Sequence, residues 1–180
     1  MIYCFLADGF EEVEALAAVD MIRRADIDIL TVGIGSKLIN GAHGIKVECD
    51  CTEDEILLDE KVEAIILPGG MPGTINLENS ETVQNSIDFA ILNDKYVCAI
   101  CAAPSILGHK GLLRGKEAIA YPGFENDLEG AVISDKSVVR DGKIITAKGA
   151  GVAVDFGLEI VSAIRTPEVS DKIRKAIQSK

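Results

Sequence analysis

The sequence lacks several features that would assign it to a familiar class. No apolar run reaches the roughly 18 residues that a membrane-spanning helix needs. The opening stretch, MIYCFLADGFEE, has no basic segment, so we expect no signal peptide and a cytoplasmic protein. Basic residues are scarce: 18 Lys and Arg stand against 29 Asp and Glu, a net charge of −11. Because binding to nucleic acid or to an anionic membrane relies on clustered cations, we expect neither partner.

Histidine is nearly absent, which argues against two kinds of site. The chain has only His43 and His109, and His109 lies eight positions after Cys101, at the end of a predicted helix. A Cys-His-Glu triad needs a histidine well downstream of its nucleophile. A zinc site needs further cysteine or histidine pairs at ligand spacing. We therefore expect no triad hydrolase, no metal and no organic cofactor.

Short apolar strands alternate with helical patterns along the whole chain. Predicted strands cover residues 2–7, 27–34, 64–70, 96–100, 117–121 and 143–148. Predicted helices cover residues 13–25, 80–94, 103–111 and 152–164, with another after Pro167. Asp-Gly between apolar runs in VVRDGKII predicts a hairpin. This alternation indicates one α/β domain, residues 1–180, with a doubly wound, mostly parallel sheet covered by helices on both faces.

The stretch KYVCAICAAPSIL, residues 95–107, places two cysteines where a strand should become a helix. Three extended residues would separate the α-carbons of Cys98 and Cys101 by roughly 10 Å, beyond the ~7 Å limit for a disulfide. Cys98 therefore reads as a core residue of the strand. Cys49 and Cys51 should point to opposite sides of an extended segment, and five cysteines in a cytoplasmic chain do not suggest a disulfide framework.

Cys101 has the surroundings of a nucleophile elbow, a sharp strand-to-helix turn that exposes its side chain. Its neighbours Ala102 and Ala103 are small, and Pro104 suits a first helical turn. The positive end of the helix dipole should favour the thiolate. The alternative is one more buried cysteine.

Two further features would complete a site around this thiol. The turn Pro68-Gly69-Gly70 follows the predicted strand AIIL, so the amides of Gly70 and Ala102 are candidates for an oxyanion hole.

Glu14 is the second such feature. It lies on a helix that is apolar nearly all round from Val13 to Ile22, so the helix and Glu14 should be buried. Burial raises the pKa of a carboxyl group, and a protonated Glu14 could donate to a thiolate or act as a general acid. An internal ion pair is the alternative reading of Glu14. Asp20, on the same helix, should pair with Arg23 or Arg24.

Three other polar residues near this helix have ordinary explanations. Glu11 and Glu12 stand at its start, where the dipole accounts for them. His43, between Ala42 and Gly44, reads as a loop residue.

Four stretches in order resemble a known family: DGFEEVEALAAVDMIRRADI, LPGGMPGTINL, VCAICAAPSIL and TAKGAGVAVDFGLEIV. Over nearly its whole length the chain resembles the ThiJ/PfpI superfamily, especially its DJ-one/ThiJ-like branch. The resemblance implies a flavodoxin-like sandwich with the class I glutamine amidotransferase-like fold, usually a homodimer. It implies a reactive Cys101 hydrogen-bonded by protonated Glu14, an oxyanion pocket along Gly69, Gly70 and Ala102, and a Gly149–Gly151 turn near the site.

The resemblance also implies a range of activities, namely cofactor-free glyoxalase, protein deglycation, oxidative-stress sensing and chaperoning. Many members carry a histidine before proline where this chain has Tyr121-Pro122, so Tyr121 either lines the pocket or donates a proton. Proteolysis is disfavoured because Ala102, not histidine, follows Cys101. The leading hypothesis is a glyoxalase or deglycase acting on reactive dicarbonyls or glycated adducts. The alternatives are a stress sensor or chaperone with an oxidisable Cys101, and an inert scaffold.

Overall fold

The computed structural model describes residues 1–179, along which strands and helices alternate. The strands are β1 (Ile2–Leu6), β2 (Ile29–Gly33), β3 (Leu38–Asn40), β4 (Lys46–Glu48), β5 (Cys51–Thr52), β6 (Ala64–Leu67), β7 (Tyr96–Ile100), β8 (Glu117–Ala118), β9 (Val132–Ile133), β10 (Val138–Asp141) and β11 (Ile144–Ala147). The α-helices are α1 (Glu12–Arg24), α2 (Gly73–Glu78), α3 (Glu81–Leu92), α4 (Pro104–His109), α5 (Ala153–Ile164) and α6 (Pro167–Ala176).

Seven of the strands form the central sheet, in the order β10-β11-β7-β6-β1-β2-β5. All neighbours run parallel except β10, which pairs antiparallel with β11. Gly142 has φ 61° in the turn between them, so the predicted Asp-Gly hairpin is confirmed. The α/β fold with a mostly parallel sheet, expected from the sequence, is therefore correct.

The central strands are apolar and buried throughout, as parallel strands covered on both faces require. One buried cluster joins one face of the sheet to α1, α5 and α6, and the other joins the opposite face to α3 and α4. Helices α1 and α5 approach closely at Gly157, where an added Cβ would lie 3.0 Å from the Ala18 α-carbon.

Two sequence predictions about these elements were wrong. The strand expected over 117–121 pairs only over Glu117–Ala118, because the Tyr121 amide bonds instead to the Cys101 carbonyl at 2.8 Å. Helix α1 is not buried all round: Val13 and Leu16 are 54% and 39% exposed. The hairpin of β3 and β4 was not predicted, and its short, mostly exposed strands carry little apolar signal. No helix within residues 1–179 is long and apolar enough to span a bilayer.

The topology brings several loops together. Strands β1, β6, β7 and β11 are parallel, so the loops at their carboxyl ends meet at one edge of the sheet, where open α/β folds bind ligands. Residues 7–11, 68–73, 101–103 and 148–152 all follow these strand ends directly.

Candidate active site

Cys101 occupies a strained turn between β7 and α4. Its φ of 64° is unusual for a residue other than glycine. The turn is fixed on both sides, because the Cys101 amide donates to the Ala147 carbonyl at 2.9 Å and its carbonyl accepts from the Tyr121 amide at 2.8 Å. The small residues Ala102 and Ala103 are buried immediately behind it. This is the elbow geometry predicted from the sequence, with the thiol half-buried.

The loop after β6 approaches Cys101 so closely that only glycine fits. A Cβ on Gly69 would lie 2.6 Å from the Cys101 Cβ and 2.7 Å from Glu14 Oε2. Gly70 has φ 89°, and a Cβ there would lie 2.4 Å from the Glu11 nitrogen. In this arrangement the amides of Gly70 and Ala102 donate toward the Cys101 sulfur. Two backbone donors thus converge on the atom at which a reaction would begin.

Glu14 lies against the thiol and is 1% exposed. Its Oε2 accepts a hydrogen bond from the Gly69 amide at 2.9 Å. Its Oε1 is buried and has no hydrogen-bond partner among residues 1–179. Burial raises the pKa of Glu14 to about 7, although the Cys101 thiol and the Gly69 amide act in the opposite direction. The carboxyl group therefore changes charge close to neutral pH, as a general acid or base should.

The thiol itself does not have the low pKa expected for a helix N-terminus. Burial first, and then the charge of Glu14 and its hydrogen bond, raise the pKa of Cys101 to about 12. The amides of Ala102 and Gly70 act to lower it but do not prevail. The expectation of a standing thiolate is therefore wrong. Reaction at this sulfur would require an adjacent proton acceptor, and Glu14 is the carboxyl group that lies against it.

Tyr121 and the loop after β11 wall a cavity beside the thiol. The cavity has a volume of about 260 Å³. A Cβ on Gly149 would lie 3.9 Å from the Cys101 sulfur and 3.2 Å from Tyr121 Cδ2. The turn at Gly149–Gly151 is thus close to the site, as expected, and Tyr121, half-exposed, forms part of the cavity wall.

The other cysteines are packing residues. Cys98 is fully buried within β7. Cys49 and Cys51 are also buried and belong to the two clusters on opposite faces of the sheet, as their spacing predicted. All five cysteines are free thiols. Asp20 pairs with Arg24 at 2.8 Å, which confirms its ordinary explanation.

The role of Glu12 was missed in the sequence. It is 3% exposed, its Oε1 accepts from the His43 amide at 2.8 Å, and its Oε2 lies 2.9 Å from His43 Nδ1. Glu12 thus fastens the β3–β4 hairpin to the start of α1. Nothing in the local sequence distinguishes it from a solvated acid at a helix start, because its partners lie about 30 residues further along the chain.

Glu11, Glu12 and His43 have donor atoms close enough together to hold a metal ion. Their donors are already engaged, however. Glu12 Oε1 accepts from the amides of His43 and Ile45, and Glu11 Oε2 caps α1 by accepting from the Glu14 amide at 2.7 Å. These hydrogen bonds explain the cluster as a structural contact between α1 and the β3–β4 hairpin.

Comparison with known proteins identifies the family of this chain. The model of the DJ-1/PfpI family matches residues 1–163. The chain is 30% identical over 175 residues to protein dj-1beta of Drosophila melanogaster, covering 96% of this chain and 93% of the fly protein. It is 31% identical over 172 residues to DJ-1 homolog A of Arabidopsis thaliana, covering 93% of this chain but 44% of that longer protein.

Two relatives are named for an activity. A deglycase of Pyrococcus abyssi is 30% identical over 162 residues, covering 88% of this chain and 96% of that protein. A glutathione-independent glyoxalase of Caenorhabditis elegans is 26% identical over 168 residues, covering 93% and 89%. The solved structure of oxidised Toxoplasma gondii DJ-1 superposes with a TM-score of 0.94 at 27% identity, covering 99% of this chain and 97% of the other. The chain therefore belongs to the DJ-1/PfpI family.

Proposed function

We propose that this protein is a cysteine-dependent, cofactor-free enzyme that converts reactive dicarbonyls, such as methylglyoxal, or their early adducts into 2-hydroxy acids. The observation that carries the proposal is the pairing of Cys101 with a nearly inaccessible carboxyl group whose pKa is raised to about 7. Relatives named as a glyoxalase and a deglycase support the same class of reaction.

The first step is addition of sulfur to the aldehyde. The Cys101 sulfur forms a bond to the aldehyde carbon while the thiol proton moves to the Glu14 carboxylate. The carbonyl π electrons move onto oxygen, where the amides of Gly70 and Ala102 can donate to the developing negative charge. Glu14 then returns its proton to that oxygen, which gives a neutral hemithioacetal and a free carboxylate.

The second step moves a proton between neighbouring carbons. The Glu14 carboxylate removes the hydrogen from the sulfur-bearing carbon to give an enediolate. It then protonates the adjacent carbon, while the proton of the hemithioacetal hydroxyl moves to the oxygen of the former ketone. The result is a thioester of a 2-hydroxy acid, which water hydrolyses to release the acid and restore the thiol. The net reaction adds one water and needs no external oxidant or reductant. A carboxyl group with a pKa near the working pH is suited to both directions of this transfer.

A redox sensor is the second candidate. Oxidation of Cys101 to a sulfinate would place new oxygens beside Glu14, whose unpartnered Oε1 could donate to them when protonated. The raised pKa of the thiol weighs against this reading, since peroxide reacts with the thiolate. Peroxide treatment followed by measurement of the intact protein mass distinguishes the redox sensor from the enzyme. Rapid gain of two oxygens on Cys101 alone, with less gain in Glu14→Gln, would favour the sensor.

We also propose that the chain forms a homodimer and acts in the cytoplasm. Val13 and Leu16 on α1 are exposed, and so are Leu38 and Ile45 in the hairpin that Glu12 fastens beside that helix. Cys49 and Cys51 are buried and offer no contact surface of their own. Sedimentation of the wild type and of Leu16→Asp tests the dimer, which should dissociate in the variant.

The test of the enzyme is methylglyoxal consumption with lactate formation, without any added cofactor. Cys101→Ser should abolish turnover, whereas Cys98→Ala, which alters a core cysteine on the same strand, should retain it. Circular dichroism of both variants checks that they fold. Equal, negligible turnover by the wild type and Cys101→Ser would refute the proposed enzymatic function.

A further inference from the structure

The cavity beside Cys101 has a mixed character. Its lining residues are Tyr121, Pro122, Lys148, Gly149, Gly151 and Val152. Most of this wall is apolar, formed by the ring of Tyr121, a proline and a valine. Cys101 is not itself in this lining, but Gly149 stands close to both the Cys101 sulfur and the Tyr121 ring, so the cavity adjoins the thiol.

Lys148 is the charged residue in that lining. Its backbone is held in place, since its amide donates to the Ser137 carbonyl at 3.0 Å. Its side chain is exposed and makes no ion pair among residues 1–179. Two other lysines do form ion pairs: Lys116 lies 3.6 Å from Asp141 and Lys143 lies 3.7 Å from Asp94. The Lys148 ammonium is thus available to a ligand.

A cation at this place offsets the field of the rest of the protein. The chain carries a net charge of −11, and the carboxyl group of Glu14 stands beside the thiol. Such a field repels anionic substrates from the cleft unless a local positive charge counters it. Lys148 follows β11 directly and precedes Gly149, so its flexible stem can bring the ammonium to the mouth of the cavity.

We infer that Lys148 is a specificity-determining residue that recognises a carboxylate, so that the substrates of this site are carbonyl compounds bearing a carboxylate group. The reactive carbonyl would lie at Cys101, the carbon chain against Tyr121 and Val152, and the carboxylate at Lys148. This inference deepens the proposed function and rests on it for the reaction, but the recognition of an anion beside Cys101 can be measured without any turnover.

The first experiment compares two alkylating reagents of nearly equal size. Iodoacetate is anionic and iodoacetamide is neutral, and each alkylates the Cys101 sulfur with release of iodide. The ratio of their rate constants should fall at least fivefold in Lys148→Met and further in Lys148→Glu, and should recover in Lys148→Arg. Lys172→Met, which removes the same charge from α6, should leave the ratio as in the wild type. An unchanged ratio in Lys148→Met would overturn the inference.

The second experiment compares two substrates of the proposed reaction. These are 4,5-dioxopentanoate, an α-oxoaldehyde with a carboxylate, and its neutral methyl ester. Lys148→Met should lower kcat/KM for the acid about tenfold through KM, and leave the ester nearly unaffected; equal losses for both would contradict the inference. If the wild type turns over neither compound while the alkylation ratio still depends on Lys148, the proposed reaction fails and the anion site stands.

Discussion

Two carboxyl groups in the first turn of α1 have pKa values that are shifted in opposite directions. Glu12 and Glu14 are 3% and 1% exposed, and they stand two residues apart. The pKa of Glu12 is nevertheless lowered and that of Glu14 is raised. Glu12 faces the β3–β4 hairpin, where His43 and two backbone amides donate to it. Glu14 faces the elbow, where the Gly69 amide donates to its Oε2 and the Cys101 thiol also hydrogen-bonds the carboxyl group, while Oε1 has no geometrically sound partner among residues 1–179.

The difference shows that burial alone does not mark a reactive carboxyl group. Desolvation acts on both residues and raises the pKa of each. At Glu12 the donors outweigh it and fix the charge, which suits a structural contact. At Glu14 desolvation outweighs the donors, so the proton is retained up to neutral pH and can be exchanged with a neighbour. The balance between desolvation and hydrogen bonding thus distinguishes the candidate catalytic group.

The largest predicted effect is on turnover. Glu14→Gln keeps the size of the side chain but cannot take the thiol proton, so kcat/KM for methylglyoxal should fall on the order of 10³-fold. Initial rates of lactate formation measure this. Glu12→Gln is the matched control because it makes the same change two residues away, where we expect no role in proton transfer. Equal losses in the two variants would erase the proposed distinction between the two carboxyl groups.

The next effect is on the pH dependence of stability. Glu14 binds its proton more tightly in the folded state, so its contribution to the free energy of unfolding is complete below its ordinary pKa of 4.5 and is lost as pH rises through about 7. The loss should be about 3 kcal/mol, from 1.36 kcal/mol per pKa unit. Urea unfolding at a series of pH values should show the wild type losing that stability relative to Glu14→Gln.

Glu12 should show the opposite sign. Its folded-state pKa is lowered, so its contribution is present above pH 4.5 and is lost as the solution is acidified through the folded pKa. The wild type should therefore lose stability relative to Glu12→Gln only on the acid side of pH 4.5. A parallel pH dependence of the two variants would mean that the hydrogen-bonding difference between the two sites has no energetic consequence.

Most of the fold was predictable from the sequence because it rests on local patterns. The continuous apolar runs at Ile2–Leu6 and Tyr96–Ile100 identified central strands, and the small residues after Cys101 identified the elbow. Strand 117–121 failed because a contact with Cys101, remote in sequence, redirects the chain at Tyr121.

The electrostatics of the site were less predictable. Placing Glu14 on a helix indicated its burial and hence the direction of its pKa shift. The thiol pKa was misjudged because the helix dipole is a local cue, whereas the charge of Glu14 arrives through tertiary packing. The contact between Glu12 and His43 could not be predicted for the same reason. It joins a helix to a hairpin whose short strands have almost no apolar pattern in the sequence.

The smallest predicted effect concerns the reactivity of the thiol. The charge and hydrogen bond of Glu14 both raise the pKa of Cys101, so Glu14→Gln should lower that pKa while burial remains. Alkylation by iodoacetamide at pH 8 should then be faster, by roughly threefold to tenfold, since a larger thiolate fraction is partly offset by weaker nucleophilicity. Glu12→Gln, which leaves the Glu14 charge in place, should react like the wild type.

The pH profile of the same reaction separates the two roles that Glu14 could play. In the wild type, the logarithm of the alkylation rate should change slope near pH 7, where Glu14 titrates, because its proton and that of the thiol are coupled. Glu14→Gln should lack this break and rise steadily toward its own thiol pKa. Slower alkylation in Glu14→Gln at pH 8 would instead mean that Glu14 stabilises the thiolate by donating a hydrogen bond to it. That result would move the balance from general-base catalysis toward the redox sensor, whose oxidised cysteine needs such a donor.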